Sequence, residues 1–271
     1  MMQTLGFPVL ILGGLGLFFG LLLALGSKIF HVDQDPRLDK IVEALPGANC
    51  GGCGFSGCAA CANAILKGEA PANACPVGGA KSALAIAEIM GVDAGNTARM
   101  VAHVGCRGGI NAVQKFKYDG IQDCFAASKV SGGHMGCPYG CLGLGTCVKV
   151  CPYDAIHVVN GAAVVDAKKC KACGKCVAAC PRQIISVVRE TEDVFVSCSS
   201  HQRGADLRKV CNIGCIGCML CQKNCPVGAI TVTDNLASID YDKCIHCGKC
   251  VTVCPRKLIV KASDSTVEVQ A

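Results

Sequence analysis

The sequence predicts an α+β chain in which an apolar N-terminal helix precedes a small, mostly helical module and two tandem repeated units. Three observations predict this class. Residues 5–25 form an almost wholly apolar run, 25 of the 271 residues are cysteines, and most of these cysteines recur at an offset of 74 residues, as from Cys170 to Cys244. The expected boundaries are 1–28 for the helix, 33–100 for the module, 101–190 for the first unit with its preceding cysteine-bearing segment, and 191–271 for the second.

The N-terminal run predicts a transmembrane anchor. No charged side chain precedes Lys28, and about 20 apolar residues in a helix cross a hydrocarbon core of ~30 Å. The alternative is a cleavable signal peptide, for which the small residues Ala24 and Gly26 offer a cleavage site. The missing basic residues before the run and its length favour the anchor. Lys28 favours a cytoplasmic location for the rest of the chain.

The cysteine content predicts a metal framework and not a disulfide framework. Cysteines in C-x-x-C pairs do not readily bond to each other, but they converge on a metal centre as thiolates, which indicates a reducing compartment. There is no Trp and only 4% of residues are aromatic, so we expect no single large core. The net charge is +6, but the chain lacks the long Lys/Arg run that would favour nucleic acid as a partner.

The helical module carries its own set of four thiols. Cys50, Cys53 and Cys58 lie on one glycine-rich loop, and Cys75 precedes Pro76. Four thiolates could hold zinc, but the Gly-Gly-Cys-Gly loop exposes backbone N–H groups that suit the sulfurs of an iron–sulfur cluster. Cys61 lies one helical turn beyond Cys58, where a small buried residue is the simpler interpretation.

Each repeated unit contains the run C-x2-C-x2-C-x3-C-P, which is typical of bacterial ferredoxins with two [4Fe–4S] clusters. In these proteins the fourth cysteine binds the other cluster, so the pattern predicts crossed sets. The β-branched residues 155–159 and 230–233 predict strands that turn at Asn160-Gly161 and Asp234-Asn235. Zinc ribbons are the alternative. The predicted sets are Cys151, Cys170, Cys173, Cys176; Cys137, Cys141, Cys147, Cys180; Cys225, Cys244, Cys247, Cys250; and Cys215, Cys218, Cys221, Cys254.

One of these sets departs from the repeat, because Leu144 stands where the second unit has Cys218. Four thiols then remain besides Cys61, and four is the number that one more cluster needs. We therefore expect at least five [4Fe–4S] clusters and predict a sixth between the units; the alternatives are four unliganded thiols, or an exchange of roles between Cys137 and one of them. The four are Cys106, Cys124, Cys198 and Cys211.

The order of these parts resembles the B subunit of the Rnf electron-transport complex, in the long form found in anaerobes. The resemblance rests on DPRLDKIVEALPGANCGGCGFSGC, on Cys75-Pro76 and on GCLGLGTCVKVCPYDAI, and it covers essentially the whole chain. It implies a component of an ion-translocating ferredoxin:NAD oxidoreductase in the cell (inner) membrane, crossing it once, with the cluster domains on the cytoplasmic side. It also implies soluble ferredoxin as electron donor, and the other subunits and the lipid bilayer as partners.

The chain itself is not expected to make or break bonds. It contains no nucleophile elbow, phosphate loop or G-x-G-x-x-G loop, and we assign it no catalytic residue. The expected function is an electron relay, which passes electrons from ferredoxin through the clusters toward NAD reduction by partner subunits. Two other functions stay open: a cluster-bearing component of another membrane complex such as a hydrogenase, and a scaffold that stores or assembles clusters. Permanent, cross-ligated sets favour a relay over a scaffold.

Overall fold

The computed structural model describes residues 2–29, 35–95 and 97–261. It begins with helix α1 (Met2–Ile29), from which large apolar side chains project into solvent; Leu17 and Leu23 are 71% and 75% exposed. Within the described part of the chain, no helix has the length and apolarity that crossing a membrane requires. A helix is therefore present where the sequence predicts one, but the predicted transmembrane anchor is not found.

The module after α1 consists of three helices, α2 (Pro36–Ala44), α3 (Cys58–Leu66) and α4 (Gly79–Met90). The Asp35 carboxylate caps α2 by accepting a hydrogen bond from the backbone N–H of Arg37 at 2.9 Å. Gly91 ends α4 in the left-handed conformation, with φ at 66°. Ile41 and Ile86 are fully buried between the helices, which confirms a small helical module with its own core.

The first unit consists of two antiparallel strand pairs linked by short helices. Strand β1 (Met100–Val104) pairs with β4 (Ile185–Arg189), and β2 (Ile156–Val159) forms a hairpin with β3 (Ala162–Val165). Both turn residues, Asn160 and Gly161, have positive φ, as the predicted two-residue turn requires. The short helices are α5 (Cys124–Lys129), α6 (Thr146–Lys149) and α7 (Lys175–Ala178), and a 3₁₀ turn covers Gly109–Asn111.

The second unit repeats this plan. Strand β5 (Val194–Val196) pairs with β8 (Ile259–Lys261), and β6 (Ile230–Thr233) forms a hairpin with β7 (Leu236–Ile239) across the predicted Asp234-Asn235 turn. Its helices are α8 (Gly204–Val210), α9 (Leu220–Lys223) and α10 (Lys249–Val253). Each unit has a separate cluster of buried apolar residues, so the described residues form no single large core.

The two units meet through a small number of hydrogen bonds near the ends of β1 and β5. The Ser199 hydroxyl donates to the Gly105 carbonyl at 2.8 Å, and the backbone N–H of Val113 donates to the Val210 carbonyl, also at 2.8 Å. Gly136 lies so close to Val210 that a Cβ at this position would be 3.2 Å from that side chain. We call this region the joint between the units.

Candidate metal centres

Two of the predicted cysteine sets surround cavities as the crossed pattern requires. One cavity, in the first unit, is lined by Cys151, Cys170, Cys173 and Cys176, which we call the first outer set. Another, in the second unit, is lined by Cys215, Cys218, Cys221 and Cys254, which we call the second inner set. In both, the cysteine that precedes a proline joins three thiols from the opposite half of the unit.

The second outer set is the counterpart of the first outer set and consists of Cys225, Cys244, Cys247 and Cys250. Burial raises the pKa of Cys250, and the nearby thiols of Cys244 and Cys247 add to the shift. Cys225 accepts a hydrogen bond from the backbone N–H of Ala229 at 3.2 Å. The equivalent bond in the first unit, from Ala155 to Cys151, is 3.4 Å long. The same backbone turn therefore aims an N–H at sulfur in both units.

The structure groups Cys124, and not Cys137, with the remaining thiols of the first unit. The cavity there is lined by Cys124, Cys141, Cys147 and Cys180, the first inner set. Cys124 packs beside Leu144, the residue that interrupts the repeat. The first unit has no cysteine at the position of Cys218 in the second unit, and Cys124 supplies the fourth thiol instead. Asp123 caps α5 and so fixes the position of Cys124 at the start of that helix.

Cys137 belongs to a different group at the joint between the units. A cavity there is lined by Cys106, Cys137, Cys198 and Cys211, the bridging set, and Cys141 also reaches its edge. Three of the four thiols predicted for the sixth cluster line this cavity. The fourth is Cys137 and not, as predicted, Cys124. This is the exchange that the alignment of Cys137 with Cys211 in the repeat had left open.

The bridging set has an approximate two-fold arrangement. Cys106 and Cys198 each lie two residues beyond a strand, β1 or β5, and each accepts a backbone hydrogen bond from a thiol-bearing residue of an inner set. The donors are Cys141, at 3.3 Å from the Cys106 sulfur, and Cys215, at 3.4 Å from the Cys198 sulfur. Each unit thus contributes two thiols to the bridging set. In each unit, one of the two is hydrogen-bonded to a residue of that unit's inner set.

Three of the four predicted thiols of the first module, those of Cys53, Cys58 and Cys75, lie close together. The thiols of Cys53 and Cys58 lie close enough to Cys75 to raise its pKa, although burial is the larger cause, and the backbone N–H of Gly78 donates to the Cys75 sulfur at 3.4 Å. Cys61 is only 1% exposed, and its thiol forms a hydrogen bond with the thiol of Cys53. It belongs to the apolar core of the module, as its position on a helix indicates.

The first module and the first unit touch through their cysteine loops. A Cβ on Gly52 would lie 2.6 Å from the Cys173 carbonyl oxygen, so the two backbones are in direct contact. Tyr153 lies at the same junction: burial raises its pKa, and the thiols of Cys50 on one side and Cys173 on the other add to the shift. Neither Gly52 nor Tyr153 was identified from the sequence, because a contact between modules leaves no periodic signal.

Burial governs the electrostatics of the thiols. It raises the pKa of Cys106 and Cys147 to about 12, and that of Cys176 and Cys221 to about 11. A desolvated thiolate is costly unless a positive charge is adjacent. These side chains are therefore protonated without metal at neutral pH, and binding a metal would release their protons.

The cavities fit a compact multi-atom group that binds one thiolate at each corner. At least four cysteines line each of four cavities, and backbone N–H groups donate to cysteine sulfurs, as is typical around an iron–sulfur cluster. Within residues 2–29, 35–95 and 97–261, no three His, Cys, Asp or Glu side chains lie close enough together to hold a single metal ion.

Comparisons with known proteins agree with this division of the chain. A family model described as a putative Fe-S cluster matches residues 45–77, and models described as 4Fe-4S dicluster domains match residues 137–181 and 214–258. Each model covers one of the three cysteine-rich parts seen in the structure. The bridging set draws Cys106, Cys198 and Cys211 from outside all three matches.

Three curated relatives are similar over nearly the whole chain. The B subunit of an ion-translocating oxidoreductase complex from Methanosarcina acetivorans is 47% identical over 93% of this chain and 96% of its own length. The B subunit of a Na⁺-translocating ferredoxin:NAD⁺ oxidoreductase complex from Acetobacterium woodii is 49% identical over 96% and 78%. Its proton-translocating counterpart from Clostridium ljungdahlii is 42% identical over 97% and 95%. The chain therefore belongs to the family of B subunits of ion-translocating oxidoreductase complexes.

Proposed function

We propose that the chain is the iron–sulfur electron-relay subunit of an ion-translocating ferredoxin:NAD⁺ oxidoreductase. The observation that carries this proposal is the arrangement of the thiols: four cavities, each lined by at least four cysteines, lie in the two units and at the joint between them. A relay needs redox centres that are fixed and close together. Sets that share backbone hydrogen bonds with their neighbours, such as Cys141 with Cys106, meet that need.

We assign six [4Fe–4S] clusters to these sets. The first-module set is Cys50, Cys53, Cys58 and Cys75, and the other five are the two outer, two inner and bridging sets. The assignment keeps every residue expected from the sequence and exchanges only Cys124 with Cys137. When bound, such clusters supply reversible one-electron storage, at potentials that hydrogen bonds to sulfur, net charge and solvent exposure set between roughly −700 and +450 mV.

The protein's own contribution is placement and tuning. Backbone N–H groups of Ala102, Ala155 and Ala229 donate to ligand sulfurs at 3.2–3.4 Å and would stabilise added negative charge there. The half-buried and buried thiols keep water away from most of the sets. No catalytic residue is assigned, so sites for NAD⁺ are expected on partner subunits.

The proposed partners are soluble reduced ferredoxin as electron donor and the other subunits of the complex. Ion translocation requires a sealed membrane, so we place the chain at the cell membrane. The cluster domains are proposed to face the cytoplasm, where thiolates stay reduced. The exposed leucines of α1, including Leu17 and Leu23, would contact lipid or apolar surfaces of partner subunits.

The test is the metal content of protein purified without oxygen. We expect about 24 iron atoms and no zinc per chain, with EPR signals that appear on reduction by ferredoxin. About 20 iron atoms would remove the bridging cluster from the assignment, and a colourless zinc protein would overturn the function. Transfer of clusters to an apo-ferredoxin would instead favour the scaffold, for which exposed Cys218 and Cys247 are the most accessible thiols.

Paired substitutions test the exchange of Cys124 and Cys137. Cys124→Ala with Cys147→Ala removes two ligands of one cluster, so about four iron atoms should be lost. Cys137→Ala with Cys147→Ala removes ligands of two clusters, so about eight should be lost. The opposite result would return Cys137 to the first inner set.

A further inference from the structure

One cysteine loop is covered in the first unit and uncovered in the second. The loop at Cys173 lies against Gly52 of the first module, and Cys173 is half-buried. Its counterpart 74 residues later, Cys247, is exposed. The two loops have the same place in the repeat, so the difference comes from the module that covers only one of them.

Two exposed apolar side chains lie at the uncovered loop, among charged residues such as Lys243 and Lys249. Ile245, between two ligands of the second outer set, is 59% exposed, whereas its counterpart in the first unit is the charged Lys171. Val227 is 40% exposed and is the counterpart of the half-buried Tyr153. Because Tyr153 lies beside Cys173, the repeat places Val227 beside Cys247.

The covered loop identifies the kind of partner that would fit the uncovered one. In the first unit the occupant is a module that presents a glycine-rich loop carrying thiols of its own, and its backbone approaches Cys173 directly. Exposed apolar side chains that lie together within a polar rim are typical of a protein interaction site. A partner of the same kind would bring its own redox centre next to the second outer set.

We propose that Val227, Ile245 and Cys247 form the docking surface for a separate iron–sulfur electron-carrier protein, which would bind the second unit as the first module binds the first unit. The inference rests on the proposed function, because a second redox centre beside this surface matters only if the chain transfers electrons. It goes further because it names the second outer set as the place where electrons pass between the chain and a soluble carrier.

The experiment measures binding of a two-cluster bacterial ferredoxin to the full, cluster-loaded chain by anaerobic calorimetry. Ile245→Glu should weaken binding at least tenfold, since it places a charge in the centre of the surface. Leu84→Glu is the matched control, because Leu84 is 58% exposed on α4, outside the proposed surface. The control should change binding by less than twofold.

Iron content and visible absorption keep this test separate from the function itself. If the wild-type chain holds no iron, the proposed function fails; if it holds iron but Ile245→Glu binds ferredoxin like wild type, only the docking surface is wrong. Two further results would also overturn the surface. One is self-association lost in Ile245→Glu, which would assign the surface to a second copy, and the other is tighter ferredoxin binding by a chain that ends at Lys261, which would assign it to residues 262–271.

Discussion

Replacing Gly52 by alanine should separate the first module from the first unit. The new Cβ would lie 2.6 Å from the Cys173 carbonyl oxygen and 3.0 Å from its carbonyl carbon, where ordinary contacts begin at 3.4 Å. Both neighbours are backbone atoms, so one loop has to retreat by about 0.8 Å, the difference between 3.4 Å and 2.6 Å. Gly52 is not among the glycines with positive φ, so alanine adds no backbone strain of its own.

Overpacking of this kind costs about 1–3 kcal/mol. If that cost falls on the contact between the two loops, its opening should become about 5- to 150-fold more frequent. Hydrogen exchange of the loaded chain, followed by mass spectrometry, reports this opening in peptides that contain Cys173. EPR of the reduced protein should also show weaker magnetic coupling between the two neighbouring centres.

Gly54→Ala is the control for this measurement. Gly54 lies in the same loop with φ at 87° and has no neighbour within 4 Å, so alanine strains the loop without pushing on Cys173. Exchange near Cys173 should then stay at the wild-type rate. Unchanged exchange in Gly52→Ala would refute the contact, and an equal increase in both variants would attribute the effect to loop strain.

Three other changes have defined outcomes. Cys61→Ala should keep the full iron content, whereas Cys58→Ala should lose about four iron atoms per chain; iron loss in Cys61→Ala would make that thiol a ligand. Burial lowers the pKa of His103 to about 4 from 6.5, so the unfolded chain takes up its proton first as the pH falls. Denaturant unfolding should therefore show that the wild type loses about 1 kcal/mol more stability than His103→Phe between about pH 8 and about pH 5.5; equal losses would contradict this. Arg256→Met removes the guanidinium that donates to the Cys211 carbonyl at 2.7 Å, which should cost about 1–3 kcal/mol in the same assay, and a smaller loss would show that water replaces it.

Local patterns predicted most of the fold. The Asn160-Gly161 and Asp234-Asn235 turns each depend on residues within a few positions of one another. The crossed cysteine sets were predicted in the same way, because the repeat fixes their spacing, and the cavities group Cys124 instead of Cys137 with the first inner set. The transmembrane anchor inferred from the apolar run is the element that the described structure does not contain.

The spacing of the cysteines could not predict which distant cysteine replaces a missing ligand. Leu144 indicated that the first unit lacks a thiol at that position, and an exchange with Cys137 was open, but spacing did not identify Cys124, 20 positions earlier, as the replacement. The choice between Cys124 and Cys137 depends on how the segment after β1 folds back over the unit. The contact between Gly52 and the Cys173 backbone depends on how two modules are placed relative to each other, and no single segment of the sequence determines that placement.

The bridging set has a consequence for how this protein would respond to oxygen. Its thiols come equally from both units, and the Ser199 hydroxyl of the second unit donates across the joint to the carbonyl of Gly105, the residue before Cys106. Each of the other sets lies within one module or one unit, so none of them joins the two units. Oxidation of a cluster held by the bridging set would therefore act on the contact between the units, whereas the buried apolar core of each unit is separate from it.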